Sequence, residues 1–447
     1  MSTGGDGWPW RERAASATPD AVSITPGRPL RGRVRVPGDK SISHRALLLA
    51  ARGEGTSVLR GLSDGDDVRR TAVAIARVGA GVVPDGADTV RVAGGLARLH
   101  EPEMPVDVGN SGTGMRLLAG WLAAFPWFAV LQGDAYLARR PMDRVAAPLR
   151  VMGATVDGRD GGRLPPLAIR GGGLHGIDYS LPVPSAQVKG AVLLAGLGAD
   201  GPTTVRETTV VRAHTEELLH AAGARVEVTG DGSVVTVHPG PLDPLDLTVP
   251  GDPSQAAFWV VAACIVPGSE LLVDRVYVGQ ARAGFLEVLR RMGADIVLED
   301  EDRVEHTASI RARSSQLHGT SVGGPEVPGL IDEIPVLAVA AALADGPTTF
   351  CDAAELTVKE SDRVASIVAG LRALGVRADP RPDGLVVEGT AGRPLSGGSV
   401  DSWGDHRIAM AMAIAGLRAA RETGIDGWDS VATSYPGFEE DLRRCGS

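Results

Sequence analysis

Five times along the chain a helix-like apolar stretch runs into a glycine with small neighbours and then into a β-rich segment. The copies are AIARVGAGVV ending at Val83, PLRVMGATV at 148–156, LLHAAGARVEV at 218–228, LRRMGADIVL at 289–298 and LRALGVRA at 371–378. The junction glycines, Gly79, Gly153, Gly223, Gly293 and Gly375, recur at intervals of 74, 70, 70 and 82 residues. A glycine at such a point closes a helix in the left-handed conformation and releases the chain into a strand. The period exceeds the roughly 20–50 residues of solenoid repeats, so each copy is large enough for a small α+β layer. A sixth copy is expected around the helix-like stretch Ile408 to Ala420. Six copies divide into two groups of three, and 447 residues are too many for one ordinary domain.

Two segments match each other and mark where the groups meet: VRVPGDKSIS at 34–43 and LTVPGDPSQA at 247–256. Each reads as a strand, a Pro-Gly turn and a serine suited to capping a helix, so they are expected to be paired crossovers. One lobe is then expected over 40–250 and the other over 22–39 together with 251–447. Residues 1–21 precede both; 1–20 contain no apolar core of a signal peptide and are expected to form a mobile extension. The longest apolar run, Leu117 to Leu131, is shorter than a membrane span and broken by Pro126, which points to a buried segment.

The net charge of −10 disfavours a nucleic-acid binder but not an anionic small substrate, since a local cluster can oppose the global sign. Only Lys40, Lys189 and Lys359 are lysines among 45 basic residues. Genome composition explains such a bias; a need for a compact ammonium at three places explains which lysines stay. The three cysteines, Cys264, Cys351 and Cys445, have no framework spacing and fit a reducing compartment. A cytoplasmic monomer acting on small molecules, without nucleic acid or membrane, is the expectation.

Seven polar clusters open or interrupt apolar stretches. Pro37-Gly38-Asp39-Lys40-Ser41-Ile42-Ser43-His44-Arg45 reads as a turn into a helix, with Ser41 and Arg45 on one face and free N–H groups that favour an anion. Gly109-Asn110-Ser111-Gly112-Thr113-Gly114-Met115-Arg116 permits close backbone approach but lacks the ending of a nucleotide P-loop. Arg140 sits between Arg139 and a helix-stopping Pro141. Ser185-Ala186-Gln187-Val188-Lys189 reads as a serine-capped helix start carrying a cation suited to a second anion, with Arg212 and His214 downstream. Asp332-Glu333 precedes a very apolar stretch, where a carboxylate can act as a base. Lys359-Glu360-Ser361-Asp362-Arg363 places two cations four apart on an expected helix face, and Asp405-His406-Arg407 opens IAMAMAIAG. Ordinary caps, surface turns and solvated ion pairs fit each cluster alone; seven together fit a site assembled between two domains.

Taken in order, PGDKSISHRALLLAA, GNSGTGMR, RRPM, PSAQVKGAVLLAGL, IDEIPVLAVAAA, KESDR and GDHRIAM resemble the EPSP synthase family from about Val22 to the end. The resemblance implies an α/β fold of two lobes with three βαβαββ units each. It implies transfer of the enolpyruvyl group of phosphoenolpyruvate to the 5-hydroxyl of shikimate 3-phosphate, without metal or redox cofactor. Carried onto this chain, it implies that Lys40 touches both substrates, that Ser41 and Arg45 hold the shikimate carboxylate, and that Ser185, the Ala186 backbone and Arg212 hold the 3-phosphate. Gln187 would lie against both ligands. Arg140, Arg363 and Arg407 would clamp phosphoenolpyruvate, with Gly112 beside it. Asp332 would be the base for the 5-hydroxyl, Lys359 would reach the shikimate hydroxyls or phosphate, and Glu360 would handle the proton at carbon. Asn110, Arg116 and His406 would support them.

Asp39, Ala186, Leu117 and the segment Ala432-Thr433-Ser434-Tyr435-Pro436-Gly437-Phe438, which lacks a lysine, depart from the better-known bacterial form and resemble the family's second class. That class often carries alanine where this chain has Gly112, which leaves room beside the phosphoenolpyruvate site and favours inhibition by glyphosate. The alternative is a paralogous transferase acting on another hydroxy acid or on UDP-N-acetylglucosamine. The enzyme for the latter carries a reactive cysteine in a mobile loop, a place none of the three cysteines here occupies.

Overall fold

The computed structural model describes residues 19–279 and 281–446. Of the expected N-terminal extension, residues 1–18 lie outside the described residues, and Ala21 already begins a strand. The described residues form two compact units, one of Gly38–Val249 and one that joins residues 19–37 to those from Pro250 onward.

Twelve helices of eight or more residues alternate between two kinds among the described residues. The first unit holds α1 (Lys40–Arg52), α2 (Asp66–Arg77), α3 (Gly112–Ala123), α4 (Asp143–Val151), α5 (Ala186–Gly196) and α6 (His214–Ala221). The second holds α7 (Pro253–Ile265), α8 (Gly284–Arg291), α9 (Ile334–Leu343), α10 (Arg363–Ala373), α11 (His406–Gly416) and α12 (Phe438–Cys445). The odd-numbered helices are buried almost all round and lie inside their unit; every residue of α7, α9 and α11 is buried. The even-numbered ones bury one face only, as alternating charged and apolar residues require.

Each repeat wraps one inner and one outer helix around a small sheet. In the middle repeat of the first unit, Val106–Asp107 leads through α3 to Phe128–Gln132, then through α4 to Thr155–Gly158 and Leu164–Arg170. The first two strands are parallel, and the last lies antiparallel between the second and third. This βαβαββ pattern recurs through both units, with strands exchanged at the junctions. Asp246–Thr248 completes the sheet of the first repeat, parallel to Gly55–Arg60. Arg31–Val34 does the same for the first repeat of the second unit, parallel to Glu270–Tyr277. The last repeat has three strands, one of them Ala21–Ile24, paired antiparallel with Thr423–Asp426. Both Val-Pro-Gly-Asp segments directly follow an exchanged strand.

All five junction glycines adopt positive φ, from 73° at Gly223 to 106° at Gly153. Each closes an outer helix. The sixth repeat departs from the expectation: Ile408 to Ala420 belongs largely to the inner helix α11, and the counterpart of the glycine-marked helices is α12, whose Gly446 has φ −96°. No strand follows α12 among the described residues, so nothing requires the reversal there. The matched segments are also capped differently from the expectation. Asp39 accepts from the Ile42 N–H and Asp252 from the Ser254 N–H, so aspartate rather than serine caps α1 and α7. The apolar run Leu117 to Leu131 divides between buried α3 and a strand; no helix among the described residues is long and apolar enough to cross a membrane.

The junction glycines separate two costs of substitution. An added Cβ would lie 2.3 Å from the Arg98 carbonyl oxygen at Gly79, but no closer than 3.6 Å to anything at Gly153. Both positions carry the same backbone strain, about 1–3 kcal/mol for a residue with a side chain. Urea unfolding is therefore expected to show Gly79→Ala losing clearly more stability than Gly153→Ala. Equal losses contradict the contact.

Candidate active site

The inner helices start together. In the first unit, Asp39, Ser111 and Ser185 cap α1, α3 and α5, Ser185 through the Val188 N–H at 3.3 Å. The side chains behind these caps tie the three starts to one another. Buried Arg45 of α1 donates from Nη1 to Ser41 Oγ at 2.7 Å, from Nη2 to the Ala186 carbonyl of α5 at 3.0 Å and from Nε to Thr215 Oγ1 at 2.6 Å. Gln187 of α5 donates to Thr113 Oγ1 of α3 at 2.8 Å and accepts from Arg116 Nη1 at 2.6 Å. Arg116 Nη2 also donates to the Pro141 carbonyl at 2.9 Å, which anchors the turn carrying Arg140. Lys40 Nζ lies 3.1 Å from Asp67 Oδ2 of α2. Three helix starts facing one place, with Lys40 and Arg45 beside them, make an electropositive surface suited to anions.

Burial lowers the Arg45 pKa to about 10, opposed by Glu216 and reinforced by the neighbouring charge of Arg212, so Arg45 stays cationic near neutrality. Asn110 lies just before the Ser111 cap. Gly112 lies against Arg140: a Cβ there would be 2.6 Å from Arg140 Nη1. The room expected beside Gly112 is thus already taken by the guanidinium, and a methyl group would have to displace it.

A further expectation fails in this unit. Lys189 is not open to a ligand anion; its fully buried ammonium sits between Glu207 at 2.9 Å and Glu216 at 2.7 Å. A buried ammonium needs carboxylate partners, and α5 turns Lys189 inward toward them.

In the second unit the same convergence is built around Arg363, the first residue of α10, which is 1% exposed. Its Nε donates to Asp405 Oδ2 at 2.8 Å, Nη1 to Asp332 Oδ1 at 3.2 Å and Nη2 to Glu360 Oε2 at 2.5 Å. Burial disfavours its charge, but Asp405, Glu360 and Asp332 outweigh that and raise its pKa. Asp405 caps α11 through the Arg407 N–H. Arg407 Nη1 donates to the Asp332 carbonyl at 3.0 Å, and Lys359 Nζ lies 3.6 Å from Asp332 Oδ1. His406 is buried at the first position of α11. Lys359 and Arg363 do not share a helix face as expected: Asp362 caps α10, so Lys359 and Glu360 belong to the preceding connection and reach Asp332 and Arg363 from outside the helix.

Thr215, Asp67 and Arg282 carry no signal of their own in the sequence. They are single polar letters in ordinary surroundings, and only the fold brings them beside the clusters. Cys264 is buried in α7, where desolvation pushes its thiol up to about 12, and burial likewise raises Cys445. Neither is poised for nucleophilic chemistry.

Six repeats in two units, five of them βαβαββ and the last with three strands, with cations at converging helix starts, define an enolpyruvyl-transferase type of α/β protein. The enolpyruvyl transferase NikO from Streptomyces tendae shares this fold at 20% identity, with a TM-score of 0.77 over 95% of this chain and 97% of that one. The family model for EPSP synthase (3-phosphoshikimate 1-carboxyvinyltransferase) matches residues 24–442. The 3-phosphoshikimate 1-carboxyvinyltransferase of Gloeobacter violaceus is 52% identical over 429 residues, 95% of this chain and 98% of that protein. EPSP synthase from Acinetobacter baumannii superposes with a TM-score of 0.84 at 40% identity, covering 95% and 98% of the two chains. The chain belongs to the EPSP synthase family.

His44 provides a pH test of this architecture. Its Nδ1 lies 2.7 Å from Thr71 Oγ1, and burial, then Lys40 and Arg45, hold its pKa well below 6.5. The folded protein therefore resists a proton that the unfolded chain accepts below about pH 6.5, so stability falls with pH there by up to about 1.4 kcal/mol per unit. His44→Asn is expected to flatten urea-unfolding stability between about pH 6.5 and 5. An unaltered slope contradicts the buried neutral imidazole.

Proposed function

We infer that the chain transfers the carboxyvinyl group of phosphoenolpyruvate to the 5-hydroxyl of shikimate 3-phosphate and releases phosphate, a step toward chorismate and the aromatic amino acids. Family membership supports the reaction. The observation that carries the mechanism is the pair of carboxylates, Asp332 and Glu360, held on separate Nη atoms of Arg363 at 3.2 and 2.5 Å.

The reaction needs two proton-handling groups. As the 5-hydroxyl oxygen attacks C2 of phosphoenolpyruvate, Asp332 takes its proton, and Glu360, in its protonated form, gives one to the methylene carbon. A tetrahedral intermediate results. Its C–O bond to phosphate then breaks while Glu360 removes a proton from the new methyl group, restoring the double bond. Separate groups that reverse roles suit this sequence. Arg363, Arg407, Arg140 and Lys40 hold the phosphate and carboxylate of phosphoenolpyruvate, since guanidinium forks match such anions. An anion arriving at Arg363 takes over donors that Glu360 and Asp332 occupy, leaving those carboxylates free to exchange protons. Ser185, the Ala186 backbone and Arg212 hold the 3-phosphate, Ser41 and Arg45 the shikimate carboxylate, and Lys359 the acceptor's oxygens. Gln187 lies against both ligands, and Asn110, Arg116 and His406 support the framework. The chain works as a cytoplasmic monomer on these two small molecules.

Phosphate release with phosphoenolpyruvate and alternative acceptors tests the assignment. Shikimate 3-phosphate is expected to be used far better than shikimate or UDP-N-acetylglucosamine, because a site built for the phosphate leaves donors unpaired when it is missing. Equal specificity constants for shikimate and its phosphate overturn the pocket.

Glu360→Gln keeps the size but cannot exchange a proton. Its kcat is expected to fall about 10²–10⁴-fold, with phosphoenolpyruvate affinity kept or improved. Normal turnover at saturation would mean that another group carries the proton.

A further inference from the structure

Behind the Arg363 cluster lies a second buried ion network that the mechanism above does not use. Arg282, which precedes α8, is 1% exposed. Its Nη2 donates to Asp252 Oδ1, the cap of α7, at 2.6 Å. Its Nη1 donates to Ser254 Oγ at 2.8 Å and to Glu333 Oε1 at 3.1 Å. Ser254 Oγ donates to the same Glu333 oxygen. Glu333 is the residue before α9 and the neighbour of Asp332. The nearest Nη of Arg407 stands 3.8 Å from Glu333 Oε1, while it donates to the Asp332 carbonyl at 3.0 Å.

We propose that Arg282 is a positioning residue for phosphoenolpyruvate: by neutralising Glu333 from behind, it keeps Arg407 aimed at the substrate instead of at Glu333. Two carboxylates, Asp252 and Glu333, share the Arg282 guanidinium in a site closed to water, and each is expensive to bury without a cation. Among the described residues, the other cation that stands within 4 Å of Glu333 is Arg407. An ion pair in such surroundings is far stronger than one in water, so Arg407, once Arg282 is removed, shifts the short distance toward Glu333. It then gives up its bond to the Asp332 carbonyl and its aim at the ligand. Arg282 also pins the starts of α7 and α9 to each other, which fixes the backbone that presents Asp332. The effect falls on one substrate, because among the residues assigned here to shikimate 3-phosphate only Asp332 adjoins the network. The inference rests on the assignment of Arg407 to phosphoenolpyruvate.

The test is a charge cycle read by steady-state kinetics. Arg282→Met is expected to raise KM for phosphoenolpyruvate at least tenfold, with KM for shikimate 3-phosphate changed less than about threefold. Adding Glu333→Gln removes the charge that draws Arg407 away and is expected to recover most of the loss. Should Arg282→Met not fold, the same comparison is made on Arg282→Lys with and without Glu333→Gln. A purely structural role lowers the melting temperature without this split between substrates and without rescue by Glu333→Gln; either result in folded protein overturns the proposal. Arg407→Lys is measured alongside. If it leaves KM for phosphoenolpyruvate unchanged, the assignment of Arg407 fails, and this inference with it. If it raises that KM while the Arg282 variants do not, only the inference about Arg282 fails.

Discussion

The second unit depends on one guanidinium kept almost completely out of water. Arg363 could not be buried as a cation by itself, since desolvating a charge costs several kcal/mol even after the protein relaxes. Asp405, Asp332 and Glu360 make its burial tolerable, each from a different connection of the fold. The fork of the guanidinium matters here: a lysine ammonium could not meet three carboxylates at three fixed angles. Because Arg363 opens α10 and Asp405 caps α11, the ion cluster also fixes the starts of two helices. Under the proposed assignment of Arg363 to phosphoenolpyruvate, an anionic substrate would find cations already gathered and carboxylates already placed, with little left to order at the moment of reaction.

The repeat explains why such a cluster can be assembled at all. Each unit stacks three inner helices whose starts meet, and the side chains just behind the caps touch one another: Arg45 reaches Ala186, and Gln187 reaches Thr113 and Arg116. Apolar helices such as α9 carry no polar side chain that could compete for the cap region, so the chemistry is confined to their first turns. The same βαβαββ plan therefore yields a phosphate-friendly surface in one unit and an arginine–carboxylate cluster in the other, by changing a few residues at each helix start.

Much of this was legible in the sequence because it is local. The junction glycines were readable since a left-handed residue leaves a distinct letter, and their positive φ at Gly79, Gly153, Gly223, Gly293 and Gly375 follows. The apolar inner helices were readable from their unbroken runs. Charge pairing was not, because it depends on contacts between distant segments. Lys189 looked like a ligand cation at a helix start; its partners Glu207 and Glu216 lie 18 and 27 residues away and meet it only in the folded core. Lys359 and Arg363 looked like neighbours on a helix, but a cap at Asp362 separates them. Arg282 gave no signal, since its partners Asp252 and Glu333 are 30 and 51 residues distant. The last repeat differs for a related reason: among the described residues no strand follows α12, and Gly446 keeps a negative φ.

The central claim is that substrate binding exchanges a carboxylate for a ligand oxygen on Arg363. The crystal structure of the protein with phosphoenolpyruvate bound tests it most directly. The account predicts a ligand oxygen within hydrogen-bond distance of an Arg363 Nη atom, with the Glu360 or Asp332 contact to that atom lengthened or lost and the buried Asp405 contact intact. Phosphoenolpyruvate bound elsewhere, with Arg363 still holding all three carboxylates, would contradict it.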